Sequence, residues 1–278
     1  MPLRINTNVA SIAAQRHLDK SDRRMEHALK ALASGNRIVQ AGDDAAGLAI
    51  SENLRGQLAG LRQARFNSEN AISLIQVAEG GLNEQNNILI RLRELGIQAA
   101  SDNVSDVERG YLNQEFGLLI QEFDRIAKTT AFGNKRLLEG TGERFEFQVG
   151  HQAGPENVIE YQLDADSTAG TIGISGLAVE DQDEARSTLE EIDAGLDKLA
   201  AIRASFGAIQ SRLLMTTSNL DIQYENVSAA RSRMADADIA YETAELTAAR
   251  VTQDAGIAAL TQANTLPSRA NMLIHGVT

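Results

Sequence analysis

The chain has no cysteine, no tryptophan and only three prolines in 278 residues. Without cysteine there is no disulfide, no thiolate nucleophile and no cysteine-based zinc site. Aromatic residues make up 4%, too few for the aromatic-rich lining usual in an enclosed ligand pocket. Basic charge is also short: 26 Lys and Arg face 38 Asp and Glu, a formal charge of -12. A nucleic-acid partner needs a basic face, so none is expected. No apolar run reaches the roughly 18 residues that read as a membrane span, so no membrane insertion is expected. The start, "MPLRINTNVASIAAQRHLDK", lacks the continuous apolar core of a secretory signal. The expectation is a protein that stays in the cytoplasm, or one that leaves by a route without a cleaved signal.

What is present is helix. Pro2, Pro155 and Pro267 leave the stretch from 3 to 154 free of proline. Ile5, Val9 and Ile12, then Met25, Leu29 and Leu32, recur in steps of three and four near the start. "ASGNRIVQAGDD", 33 to 44, carries two Gly and an Asn and reads as a connector. A second helix is predicted from Ala45 to about Ala100, with Leu54, Leu58, Leu61, Ile72, Ile75, Leu82, Leu89, Leu92 and Leu95 holding a seven-residue rhythm. A third, about 105 to 130, carries Leu112, Phe116, Leu119, Ile120, Phe123 and Ile126. The period then shortens: "RFEFQVG" and "NVIEYQL" alternate around "HQAGPE", which predicts a β-hairpin over about 144 to 163. From about Asp181 to Ser232 the helical stripe returns through Leu189, Ile192, Leu196, Leu199, Phe206, Ile209, Leu213, Leu220 and Val227. At 1.5 Å per residue that helix spans roughly 75 Å, far beyond the globular average. The last stretch is helical but Ala-rich, with a thin stripe of Leu246, Val251, Ile257, Leu260 and Leu266. The two end helices are too weakly apolar to fold alone, so each needs the other or a neighbouring subunit. The predicted fold class is mainly α: a long coiled-coil-like helical bundle with one small β-hairpin region, plus paired terminal helices.

Catalytic chemistry finds little support. Asp43 and Asp44 after Gly42 have the Gly-Asp-Asp form of a polymerase metal site, which needs a strand hairpin and a distant third carboxylate. Here they abut a helix pattern, where an Asp accepts backbone N–H bonds and meets the positive end of the helix dipole. His17, His27, His151 and His275 are scattered and fit no metal spacing. "GTGERF" lacks the third glycine of a nucleotide loop and precedes a hairpin. Arg91, Arg93 and Glu94 form a charge cluster, by default a solvated helix face. No catalytic, cofactor or metal residue is expected.

Three stretches carry a resemblance: "INTNVAS", the run from "ALASGNRIVQAGDDAAGLAIS" to "LIQVAEGGLNE", and "SAARSRMADADIAYETAELTAARVTQDAGIAALTQAN". They closely resemble bacterial flagellin, in a minimal form whose middle leaves no room for large outer domains. The resemblance implies a structural subunit of the flagellar filament, extracellular, and not an enzyme. A hook–filament junction protein, which shares the terminal architecture, is the alternative. It also implies two regions: an inner terminal-helix domain of 1–43 with 237–278, disordered in the monomer and ordered in the filament core, and a rod domain of 44–236. Ile5, Val9, Ile12, Leu29, Leu32, Val251, Ile257, Leu260 and Leu266 would lie on the filament-core helices. Gly35, Asn36, Gly42, Asp43 and Asp44 would form the connecting spoke and the helix cap. The implied partners are further copies of the chain, an export chaperone at the C-terminal helix, and hook-associated and cap proteins. "IRLRELGIQ" resembles the segment read by a host Toll-like receptor, which would make Arg91, Leu95 and Glu115 contacts. Export would follow the flagellar type III route without cleavage.

Overall fold

Alternating steps of three and four residues build the longest helices. α1 runs Val9–Ser34, α2 Ala45–Ala99 and α3 Asp106–Thr129, with α5 at Gln182–Ala235 and α6 at Ile239–His275. The computed structural model describes residues 7–162 and 164–276, with the backbone alone for 266–275. Packing divides the chain into two units, Met1–Gly56 with Asn226–Thr278, and Gln57–Glu225. α2 and α5 each contribute residues to both.

In the unit Gln57–Glu225, α2 buries Leu61, Ala64, Ser68, Ala71, Ile75, Ala78, Leu82, Gln85, Leu89 and Leu92. α5 buries Ala185, Ile192, Leu199, Phe206, Leu213 and Leu220 at steps of seven, with Thr188 three residues after the first. A 3.5-residue period keeps one seam facing its neighbours, which is coiled-coil packing. Phe116 and Phe123 of α3 add aromatic bulk beside Phe206 of α5. Gln85 sits inside this seam. Its Nε2 donates to the carbonyls of Phe123 (3.1 Å) and Ser167 (3.0 Å), so a buried amide ties α2 to α3 and to the chain beyond the hairpin.

The predicted hairpin is present. β3 (Arg144–Gln148) and β4 (Val158–Gln162) pair antiparallel, with Phe145 opposite Tyr161 and Phe147 opposite Ile159. Tyr161 packs its ring 5.6 Å from that of Phe206, fixing the hairpin to α5. A glycine at position 60 lets the hairpin loop approach α2: a Cβ there would lie 2.9 Å from His151 Cβ. Two small elements escaped the sequence pattern, the β1–β2 pair (Ala131–Phe132 with Lys135–Arg136) and the short α4 (Ala169–Ile172). Neither is long enough to show a period. The start of α3 was legible: Ser105 and Glu108 form a capping box. Buried Arg109 then closes the other side of that turn, donating to the carbonyls of Ala99 and Ser101 past the end of α2.

Candidate assembly surfaces

In the other unit, α1 and α6 run antiparallel. Asn8 Nδ2 donates to the Ala263 carbonyl at 2.8 Å, and Ser21 Oγ to that of Ala249 at 2.7 Å. The seam between them is made mostly of small side chains. Ser11, Ser21, Ala28 and Ala31 are buried on α1, and Ala249 and Ala263, with Glu242 near the start of the helix, on α6. Leu18 comes within 3.3 Å of where a Cβ on Gly256 would stand. Small residues let the backbones approach but bury little apolar area each, at about 25 cal/mol per Å2.

The larger aliphatics of these helices face outward. Val9 is 60% exposed and Val251 63%, and Ile12, Leu29 and Ile257 are each 49% exposed. Leu32 and Leu260 are half-buried. Ile5 and the Leu266 side chain lie outside the described residues. Most of the stripe read from the sequence is therefore not the α1–α6 seam. It is an apolar surface on the outside of that pair.

Between α1 and α2 runs the connector. Gly35 ends α1 in the left-handed conformation, φ 70°, and its N–H reaches the Ala31 carbonyl. The chain then pairs with the end of α5: Asn36 bridges Asp236, Arg37 N–H donates to Ala235 O (2.8 Å) and Ala237 N–H to Gly35 O (2.9 Å). The Arg37 guanidinium adds a 2.9 Å bond to the Met234 carbonyl and a longer contact to Asp44. Sequence reasoning missed Arg37, because an isolated arginine in a loop carries no pattern. Gly42 has open space around it and an ordinary φ, so nothing local demands glycine there.

The two aspartates, read together as spoke end and helix cap, take different roles. Asp44 alone caps α2: its Oδ1 accepts from Gly47 N–H at 2.8 Å. Gly47 must stay small, since a Cβ would lie 2.8 Å from Asp44 Cγ and 3.0 Å from Ile38 Cδ1. Asp44→Ala is expected to cost about 1 kcal/mol, read by denaturant unfolding. Asp43 folds back instead. It accepts from Val39 N–H (3.1 Å) and Gln40 N–H (3.0 Å), and His27 Nε2 on α1 stands 3.2 Å away. Partial burial pushes the Asp43 carboxyl up, but the bonds from Gln40 and Val39, with His27, hold it below its ordinary value. The stabilisation from a lowered carboxyl is complete above the unfolded value of about 3.9 and is lost as pH falls through the folded one. Amide exchange at Val39 and Gln40 is expected to stay protected at neutral pH and to lose protection in acid. Asp43→Asn removes that acid-dependent step.

On the outer side of α2 and α3, Arg91 donates to Glu115 Oε1 at 2.8 Å and to Glu94 Oε2 at 3.0 Å. Its bonds to Glu115, then to Glu94, raise the guanidinium pKa further. Arg93 pairs with Asp193 on α5 at 2.7 Å. These exposed pairs are screened by salt and orient side chains more than they stabilise the fold. Leu95 does not belong to this surface. It is 1% exposed and packed in the core, so its expected role as a receptor contact is corrected: a partner cannot touch it without unpacking α2. Among the described residues, no three His, Asp or Glu side chains converge as metal ligands. No described helix is long and apolar enough to cross a membrane.

Comparison with known proteins gives the family. Residues 5–143 match the bacterial flagellin N-terminal helical region, and residues 189–273 the C-terminal helical region. A flagellin of Halalkalibacterium halodurans is 40% identical over 272 residues, 98% of this chain and 99% of that one. The chain belongs to the flagellin family. As a flagellin it is a structural protein, a subunit of the bacterial flagellar filament that serves motility, and it assembles with copies of itself. The crystal structure of Bacillus cereus flagellin matches with a TM-score of 0.50 at 27% identity, over 60% of this chain and 94% of that one. A putative flagellar hook-associated protein from Vibrio parahaemolyticus matches with a TM-score of 0.59 over 70% of this chain and 100% of that one. Its 14% identity speaks for the fold alone, so the junction-protein alternative gains nothing over flagellin.

Proposed function

We propose that this flagellin polymerises by burying the outer apolar faces of α1 and α6 against neighbouring copies. The carrying observation is the exposure of Val9, Ile12, Leu29, Val251 and Ile257 on a pair whose own seam is mostly Ser and Ala. Residues 1–43 with 237–278 then make the inner layer of the filament, and 44–236 the rod outside it. Gly35, Asn36, Asp43 and Asp44 hold one layer to the other. Head-to-tail contacts of unlike surfaces do not close on themselves, so growth is helical and open-ended. Ordering of the terminal pair is coupled to assembly, because most of its apolar cover comes from other subunits. Hydrogen exchange tests this. Amides of α1 and α6 are expected to exchange fast in the monomer and to gain strong protection in the polymer. Equal protection in both states would refute the coupling.

The same exposed face of α6 suits an export chaperone before assembly, and export through the flagellar type III route requires no cleaved signal. Hook-associated and cap proteins share this reading as partners at the filament ends. For a host Toll-like receptor, Arg91 and Glu115 are the contact candidates, paired and exposed on α2 and α3. Purified monomer is expected to activate receptor-bearing cells, and Arg91→Ala with Glu115→Ala to abolish that response. An undiminished response from the double variant would overturn the assignment.

A further inference from the structure

The back of α5 carries an apolar row that the core does not use. Phe206, Leu213 and Leu220 are buried, and Ala208, Met215 and Ile222 each follow two residues later. Two residues turn a helix by about 200°, which places this second row on the opposite side. Met215 is 75% exposed and Ile222 56%. A shallow depression beside Met215 is lined by Ala208, Ser211, Arg212, Thr216 and Asn219. None of these is acidic, in a chain of net charge -12. A second copy, acidic overall, can bring an unlike surface up to Arg212 here without facing a carboxylate of this lining. Met25 and Met234, by contrast, are half-buried.

We propose that Met215 is an oxidation site that controls assembly: peroxide converts it to the sulfoxide in the free subunit, and the sulfoxide blocks docking of a second copy on this face. The inference rests on the reading that polymerisation buries outward apolar faces. In the step itself, a sulfur lone pair attacks one oxygen of hydrogen peroxide. The S–O bond forms as the O–O bond breaks. Sulfur loses two electrons, the peroxide gains them, and the departing hydroxide takes the proton of the transferred oxygen to leave as water. A flexible apolar side chain becomes a polar, chiral one. Its strong acceptor oxygen would have to be desolvated for the contact to form.

The test treats full-length monomer with dilute hydrogen peroxide, maps sulfoxide by mass spectrometry, and then measures seeded polymerisation. Met215 is expected to oxidise before Met25 and Met234, and the oxidised protein to lose most of its polymer yield. Met215→Leu keeps its yield after the same treatment, while Met215→Gln polymerises poorly with no peroxide at all. Full polymer yield from protein oxidised at Met215 overturns the proposal. So does equal loss of yield in peroxide-treated Met215→Leu, or slower oxidation of Met215 than of the half-buried methionines. Failure of the untreated wild-type chain to polymerise would instead strike the assembly reading underneath.

Discussion

Val251→Asp or Ile257→Asp is expected to abolish polymerisation and leave the free subunit folded. Both side chains stand on α6 outside its seam with α1, 63% and 49% exposed. Exposed substitutions away from special features change stability by only about 0.5 kcal/mol. A carboxylate at either site would, however, have to be buried without a counter-charge once a second copy packs on it, which costs far more. The readouts are therefore split: circular dichroism and thermal unfolding stay close to wild type, while pelletable polymer disappears. Substituting a seam residue acts on the pair itself. Ala249→Leu forces bulk between α1 and α6, where Ala249 is 3% exposed and its carbonyl accepts the Ser21 hydroxyl. The pair itself is then disturbed as it orders, so polymer is lost through the helix pair and not through the outer face.

Phe206→Ala is expected to be the most destabilising single change in the unit Gln57–Glu225. Phe206 is fully buried at the centre of the α5 seam, and the Tyr161 ring of the hairpin rests on it. Emptying that site removes the helix contact and the hairpin anchor together. Phe→Ala in a core costs about 3–5 kcal/mol, which lowers Tm by on the order of ten degrees. Burial also pushes the Tyr161 phenol up from its ordinary value. Opening the Phe206 site rehydrates that ring, so the Tyr161 titration moves back down towards about 10. A thermal midpoint within a degree or two of wild type would mean that the hairpin is held by something else.

The long helices were legible because their evidence is periodic. Ile192, Leu199, Phe206, Leu213 and Leu220 of the stripe read for α5 form its seam, while Leu189, Leu196, Ile209 and Val227 of the same stripe are only half-buried. The same periodicity should have settled Leu95. It continues the steps of three and four from Leu89 and Leu92 to Ala99, so it had to face inward. Reading it as an outward contact set a resemblance above the spacing. The terminal helices hid their seam for the opposite reason. Ser11, Ser21, Ala28 and Ala31 carry too little hydrophobicity to stand out, so the eye follows Val9, Ile12 and Leu29, which point away. Nor does a sequence tell two adjacent carboxylates apart. Asp44 caps α2 and Asp43 folds back on Val39 and Gln40 only because the backbone turns between them. Arg37 was invisible until its partner, the Met234 carbonyl nearly two hundred residues later, was in place.

The central claim is that paired terminal helices make the polymer. Electron microscopy of seeded full-length chain beside a chain lacking 237–278 tests it most directly. The account predicts long, uniform tubes from the full chain only, with the truncated chain remaining as folded, helical monomer. Tubes of the same diameter and length from the truncated chain would contradict it.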